Sequence, residues 1–404
     1  MPSFRLLVLT SHPIQYQAPM HRALAASGKI DLTVLFCSQF GIKAYHDKGF
    51  GREVQWDIPL LEGYTSFFLK NWSWNPGLSG FWGLLNPGII GYIAHSRCDA
   101  LLVHGWGRAT NWIAMLTGIA IGTPLLVRGE TNLLNPLSST KQFFKKSALK
   151  PLFARTAGFL SIGRHNTEFY RSYGVPENKI HLTPYAVDNQ YWLSQADALL
   201  LHKSELKQSL GFDRKSPIVL FSGKLVPVKC PMDLLRAFEK IPESLNAGLV
   251  FLGDGELRGS LEAYARERSV KNVRFVGFKN QTEMAPYYSM ADVFVLPSSY
   301  EPWGLVVNEA LCFGLPVIAS DKVGATGDLV QEGVNGFVYP AGDVVALTER
   351  LHELVANADR RRAMGTASLG LISHWGYSEV VIGILKGLVA VAGPARCDRP
   401  IATM

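Results

Sequence analysis

Two acidic residues eight positions apart, Glu301 and Glu309, bracket the segment Glu301-Pro302-Trp303-Gly304-Leu305-Val306-Val307-Asn308-Glu309. A carboxylate offers two acceptor oxygens to a pair of adjacent hydroxyls, and the amides that open a helix suit an anion. Residues 292–297 ahead of this segment are a short apolar run that reads as a buried strand, and 316–319 behind it read as another. The helix between them begins near Gly304 and stops at Gly314, a residue suited to the turn past a helix end. Glu301 therefore falls in the loop at a strand's carboxyl end, where open α/β sheets take ligands. Glu309 lies among Val306, Val307, Ala310 and Leu311, surroundings in which a carboxylate needs a partner. The plainer reading is a helix with an acid at its positive end and a second Glu by chance.

A second group follows the strand read at 217–221, in Ser222-Gly-Lys-Leu-Val-Pro-Val-Lys-Cys-Pro231. Gly223 permits a sharp turn, Lys224 and Lys229 stand on either side of the loop, and Pro231 suits the first turn of a helix. Two cations beside a helix N-terminus make a site for a diphosphate, although two solvated surface lysines fit the same spacing. Gly253-Asp-Gly-Glu256 links a strand to a helix without the GxGxxG fingerprint, which argues against a dinucleotide cofactor.

Glu301-x7-Glu309, with Pro302-Trp303-Gly304 inside it, resembles the retaining glycosyltransferases of the GT-B fold, the large family four of group 1. The resemblance implies an α/β chain: GT-B, two doubly wound Rossmann-like domains with a central cleft. It implies that Glu301 and the amides after it, at Trp303 and Gly304, hold the hydroxyls of a donor sugar, and that Glu309 binds a nucleotide's ribose. Gly223, Lys224 and Lys229 match the family's diphosphate-holding segment, with Cys230 where the family has glycine. Gly255 would line the nucleotide pocket, and Phe278 or Lys279 would lie near the base. His104, in Leu102-Val-His-Gly-Trp-Gly107, would approach the donor sugar across the cleft. The catalytic set expected on this basis is Glu301, Lys229, Lys224 and His104. The loop after the first strand departs from the family, because no glycine lies between Thr10 and Pro19. His12 and Gln15 would do polar work there or face an acceptor, and Arg128 would meet an anionic group of either substrate.

These loops need a scaffold, and its alternation is visible along the chain. Strand-like runs at 5–10, 31–36, 99–103, 124–127, 158–162 and 179–183 are separated mostly by helical stretches, among them 18–26, 109–121 and 164–173. After a break at 184–192 the series restarts at 217–221 and continues at 249–252, 273–275, 292–296, 316–319 and 336–339. The 404 residues suit two full cores. The expected division is an acceptor-side domain over 1–187, a donor-side domain over 188–372, and over 373–404 a helix that crosses back to the first domain, then a flexible tail.

Hydrophobic residues make up 48% and charged residues 18%, a globular composition. No uninterrupted apolar stretch of 18 residues suggests a membrane span, and the first apolar run is too short for a signal peptide. Five scattered cysteines have no metal or redox spacing and suit a reducing compartment. The net charge of +7 is uneven: residues 1–187 hold 18 Lys and Arg against 9 Asp and Glu. Over 138–156, Lys141, Lys145, Lys146, Lys150 and Arg155 alternate with Phe143, Phe144, Leu149, Leu152 and Phe153. That stretch reads either as a helix for an anionic membrane surface or as a half-buried helix with a solvated basic face. Trp72, Trp74, Phe81 and Trp82 would touch a sugar or an interface, or fold into the core. With no Asp-x-Asp pair and no His cluster at ligand spacing, no catalytic metal is expected, and no cofactor beyond the nucleotide-diphosphate sugar itself.

The resulting expectation is a metal-independent retaining glycosyltransferase, cytoplasmic or peripheral on the inner face of the cell membrane. It would move a sugar to a saccharide, lipid-linked or small-molecule acceptor in bacterial cell-surface polysaccharide or glycolipid assembly, with no nucleic acid partner. A GT-B sugar-nucleotide epimerase and a non-catalytic membrane-peripheral scaffold that binds nucleotide sugar stay open as alternatives.

Overall fold

The computed structural model describes residues 3–47, 49–135 and 138–393. The strands in chain order are β1 (Phe4–Thr10), β2 (Ile30–Phe36), β3 (Tyr45–Asp47), β4 (Arg52–Val54), β5 (Thr65–Phe68), β6 (Ala100–His104), β7 (Leu125–Arg128), β8 (Gly158–Ser161) and β9 (Ile180–Leu182). They continue with β10 (Ile218–Ser222), β11 (Gly248–Leu252), β12 (Val273–Gly277), β13 (Val293–Leu296), β14 (Val317–Ser320) and β15 (Gly336–Tyr339). The sequence reading misses β3, β4 and β5, which are short and half-exposed, so that their side chains carry little apolar signal.

The chain divides into two compact units. Unit one comprises Met1–Lys43, Pro59–Tyr185 and Tyr377–Met404, and unit two comprises Ala44–Ile58 and Ala186–Gly376. Each centres on an all-parallel sheet, in the order β5-β2-β1-β6-β7-β8-β9 in unit one and β12-β11-β10-β13-β14-β15 in unit two. In both sheets the order reverses at one point, between β1 and β6 and between β10 and β13. Ligands of doubly wound folds settle outside the carboxyl ends of the strands at such a reversal.

The strands read as nearly continuous apolar runs because both faces of each sheet are covered. In unit one, Leu7, Leu9, Leu101, Val103 and Val127 pack with Ile93, Met115, Leu152 and Phe169 from the helices. In unit two, Val219, Phe221, Phe251, Val295 and Ile318 pack with Leu234, Leu235, Leu347 and Leu351. Asp292, just before β13, takes hydrogen bonds from Lys207 at 2.6 Å and from the Ile218 amide at 2.8 Å, with Lys203 at 3.0 Å. This network fastens β13 to β10. Burial alone would raise the Asp292 pKa, but Lys203 and Lys207 outweigh it and hold the carboxyl down.

One feature differs from the expected domain plan. Residues 44–58, expected in the first domain, belong to unit two. They are held there by side-chain contacts that local periodicity does not record. The helix Tyr377–Ala392 belongs to unit one, where Val380, Gly383, Ile384, Gly387 and Leu388 face β8 and β9. The close approach needs glycine, since a Cβ on Gly383 would lie 2.1 Å from the Leu182 carbonyl oxygen. By length and hydropathy, Ala358–Ala392 would suffice to cross a membrane, a property the sequence reading does not anticipate. The stretch is interrupted at 373–376 and forms two helices, Ala358–Ile372 and Tyr377–Ala392. The expected flexible tail lies outside the described residues.

Candidate functional site

In unit two the strand-end loops are tied to one another through their backbones. The Gly223 amide donates to Leu252 at 2.9 Å, the Leu225 amide to Asp254 at 2.8 Å, and the Ser299 amide to Val228 at 2.9 Å. The Glu301 amide donates to Lys322, and the Glu301 carbonyl accepts from Gly324. The loops after β10, β11 and β13 thus form one frame around the sheet's reversal point.

Glycine is required where these loops nearly touch. A Cβ on Gly253, whose φ is +139°, would lie 1.9 Å from the Gly223 carbonyl oxygen. Gly304, at φ +96°, precedes the helix Leu305–Cys312 and lets it start directly after the Glu301 turn. The first amides of that helix lack intrahelical acceptors and point toward its start.

Lys229 and Glu301 meet as an ion pair across the reversal point, one from the loop after β10 and the other from the loop after β13. Their side chains keep 22% and 15% exposure, enough for a ligand to reach them. Burial, followed by the nearby Lys224 charge, lowers the Lys229 pKa to about 8. Lys224 turns instead to Asp47, whose two oxygens lie 2.8 and 2.9 Å from the ammonium. Asp47 would be pushed up by burial, but the Lys224 bond and the Phe50 and Gly49 amides hold its pKa below the ordinary value. Phe278 is covered by Phe50, with ring centroids 4.7 Å apart, and by the Arg52 guanidinium at 5.2 Å. Gly255 closes against Leu225.

Two expected donor contacts have other surroundings. Glu309 is 1% exposed, and its carboxylate accepts a 2.7 Å hydrogen bond from the Tyr288 hydroxyl. Its apolar setting was legible, but its partner, 21 positions upstream, was not. Trp303 was expected to offer its amide, and its side chain packs inward. It is 2% exposed, donates to Asn308 at 2.9 Å and stacks on Trp375 at 5.6 Å.

Unit one has its own reversal point, with His12 after β1 and His104 at the end of β6. The His104 Nε2 is buried without a hydrogen-bond partner. Burial, then Arg128 and His21, hold its pKa well below the ordinary value, so the ring is neutral. His12 lies 2.9 Å from the Ser11 hydroxyl and edge-on to Phe40, and burial lowers it to about 4. The Gln15 side-chain oxygen is buried without a partner. Arg128 departs from its expected role. It is 4% exposed and donates to the Thr183 and Pro184 carbonyls at 3.3 and 3.1 Å, so it ties β7 to the segment after β9. His21, which sequence reasoning passes over as one more residue of a helix, is 1% exposed with both ring nitrogens unpartnered.

Among the described residues, no group of three His, Cys, Asp or Glu side chains could hold a metal ion. On the surface of unit one, Trp72, Trp74, Trp82, Phe143 and Phe144 are exposed by 52–74%. Within the helix Ser139–Arg155, Leu149, Leu152 and Phe153 are buried.

Two doubly wound parallel-sheet units, each with its polar residues at the reversal point, define a GT-B protein. Residues 202–369 match the family described as "Glycosyl transferases group 1". An uncharacterised glycosyltransferase of Methanocaldococcus jannaschii is 31% identical over 216 residues, covering 53% of this chain and 50% of the relative. Alpha-D-kanosaminyltransferase of Streptomyces kanamyceticus is 25% identical over 76% of this chain and 80% of its own. The chain spans about half the length of the first curated relatives it matches. Among solved structures, Anabaena HepE in complex with UDP and glucose superposes with a TM-score of 0.71 at 17% identity. That superposition covers 96% of this chain and 100% of HepE. At that identity the likeness speaks for the fold.

Proposed function

We propose that this chain is a retaining, metal-independent glycosyltransferase that moves a sugar from a nucleotide-diphosphate sugar to an acceptor hydroxyl. The observation that carries the reading is the Lys229–Glu301 pair at the reversal point of the second sheet. A donor would separate the two, its diphosphate oxygens taking Lys229 and its sugar hydroxyls taking Glu301. In the reaction the bond from the anomeric carbon to the diphosphate breaks, and the acceptor oxygen bonds to that carbon on the same face. The acceptor's proton passes to the departing phosphate oxygen. Lys229 and the orphan amides of the helix Leu305–Cys312 would stabilise the growing charge on the diphosphate, as positioned donors do elsewhere.

The acceptor side is read from the surface of unit one. Exposed Phe143 and Phe144 stand on a helix with Lys141, Lys145 and Lys146, which suits an anionic bilayer, and exposed Trp72, Trp74 and Trp82 suit its interface. The acceptor class supported by this surface is a glycolipid or a lipid-linked saccharide of bacterial cell-surface assembly, met at the inner face of the membrane.

The test is turnover with UDP-, GDP-, dTDP- and ADP-sugars in the presence of phosphatidylglycerol vesicles carrying lipid extract. Transfer to lipid with the donor's anomeric configuration is expected, and the protein should sediment with the vesicles. An inverted product would refute the retaining course, and an altered free sugar nucleotide formed without acceptor would refute the transferase reading.

Lys229 also sets a pH dependence. The diphosphate takes the ammonium form, which the free protein loses as pH rises through about 8. The Kd for a nucleoside diphosphate is therefore expected to rise above that pH, by about tenfold per further unit. Calorimetry between pH 6.5 and 9.5 reads this directly, and Lys229→Arg, which stays charged, should flatten the profile. For folding the sign is opposite. A lowered ammonium pKa makes this group a cost at neutral pH, and the cost fades as pH climbs from about 8 toward the ordinary lysine value.

A further inference from the structure

The hairpin β3–β4 rests on two residues that the donor reading assigns to ligand. The Asp47 carboxylate engages Lys224 with both oxygens, as a phosphate would. The Phe50 ring meets Phe278 at 4.7 Å with an interplanar angle of 69°, on the side chain expected beside a nucleotide base. The Lys224 ammonium also lies 4.7 Å from the Phe50 ring centroid. The fit depends on Gly49, because a Cβ there would come within 2.6 Å of the Lys224 side chain. An anion and an aromatic ring, close together on one short hairpin, thus cover a cation and an aromatic ring of the site.

We propose that this hairpin is a displaceable stopper of the donor site, with Asp47 holding the diphosphate's place on Lys224 and Phe50 holding the base's place on Phe278. The inference rests on the donor reading above. Two three-residue strands form a marginal hairpin, stable only while it packs on something else. Its base is anchored separately: Asn280 donates to the Gln55 carbonyl, and Thr282 donates to Asp57 through its amide at 3.1 Å. The tip can therefore leave while residues 55–57 stay attached. Donor binding then competes with an internal ligand, which sets a threshold concentration for occupancy and discriminates against nucleotides that bring only a base or only a phosphate.

The test is calorimetric titration of UDP and GDP into the full chain, its Asp47→Asn variant and its Lys229→Ala variant. Asp47→Asn keeps the hairpin's shape and removes its charge, so the nucleoside diphosphate Kd should fall about fivefold. Backbone amide exchange across residues 44–56 of the native chain should speed up on saturation. Equal or weaker diphosphate binding by Asp47→Asn, or exchange that slows or stays constant, would overturn the stopper. Slower exchange would make the hairpin a wall of the occupied site instead. Native-like binding by Lys229→Ala, or no binding by the native chain, defeats the donor reading and the stopper with it. Loss of binding in Lys229→Ala without tightening in Asp47→Asn defeats the stopper alone.

Discussion

Lys229→Ala is expected to lower turnover by about two to three orders of magnitude, the usual loss when one preorganised donor to a developing oxyanion is removed. The geometry supports a large effect. The ammonium is mostly buried, so little water is there to replace it, and its partner Glu301 stands where the sugar hydroxyls are expected. Removing it also leaves Glu301 facing the diphosphate without a cation between them. The fold should survive, because Lys229 lies in the short turn Pro227–Lys229 rather than in the core. The measurement is kcat with the donor identified from the four-nucleotide panel, with far-ultraviolet circular dichroism as the folding control. Turnover within a factor of three of the native chain would remove Lys229 from the chemistry.

Gly253→Ala is expected to destabilise the protein by about 3 kcal/mol or more and to abolish nucleotide binding. Two costs combine. The backbone at φ +139° disfavours any side chain, and the new Cβ would meet the Gly223 carbonyl oxygen at 1.9 Å. That neighbour is backbone and cannot rotate away. Relief would require moving the loop that carries Lys224, along with the Gly223–Leu252 and Gly253–Gly277 hydrogen bonds. Gly259→Ala is the control: it has nothing within 4 Å of its Cβ and lies in the helix Arg258–Glu267. It should be neutral or gain some tenths of a kcal/mol. Urea denaturation of both variants compares the two outcomes, and equal midpoints would show that the close approach carries no strain.

Much of the fold was legible because its signals are local. Apolar runs of three to six residues, most of them followed by a helical stretch, mark the main strands of both units within two or three residues. The three short strands β3, β4 and β5 escaped because they are half-exposed and bury too little to imprint a pattern. The site was legible to the same depth. Glu301, Lys229, Gly223 and Gly255 could be placed at strand ends, since a loop after a strand is a local fact. Arg128 could be placed as well, yet its guanidinium is taken up by backbone carbonyls. Whether a side chain at a strand end meets ligand or folds back onto a distant carbonyl or ring is not written in its neighbours. Arg128 finds Thr183 and Pro184, and Trp303 finds Trp375.

By itself, the sequence determined the alternation, the glycine turns and the presence of acids and lysines at the carboxyl ends of strands. Hydrophobic period and backbone freedom belong to each segment alone. Only the tertiary structure decided which of those groups meet. The sheet order sets β10 beside β13 and so brings Lys229 to Glu301, and the hairpin drawn from residues 44–58 gives Lys224 to Asp47. Pairings between distant segments are settled by what each buries and satisfies on collapse, a condition on the whole chain that no local stretch can encode.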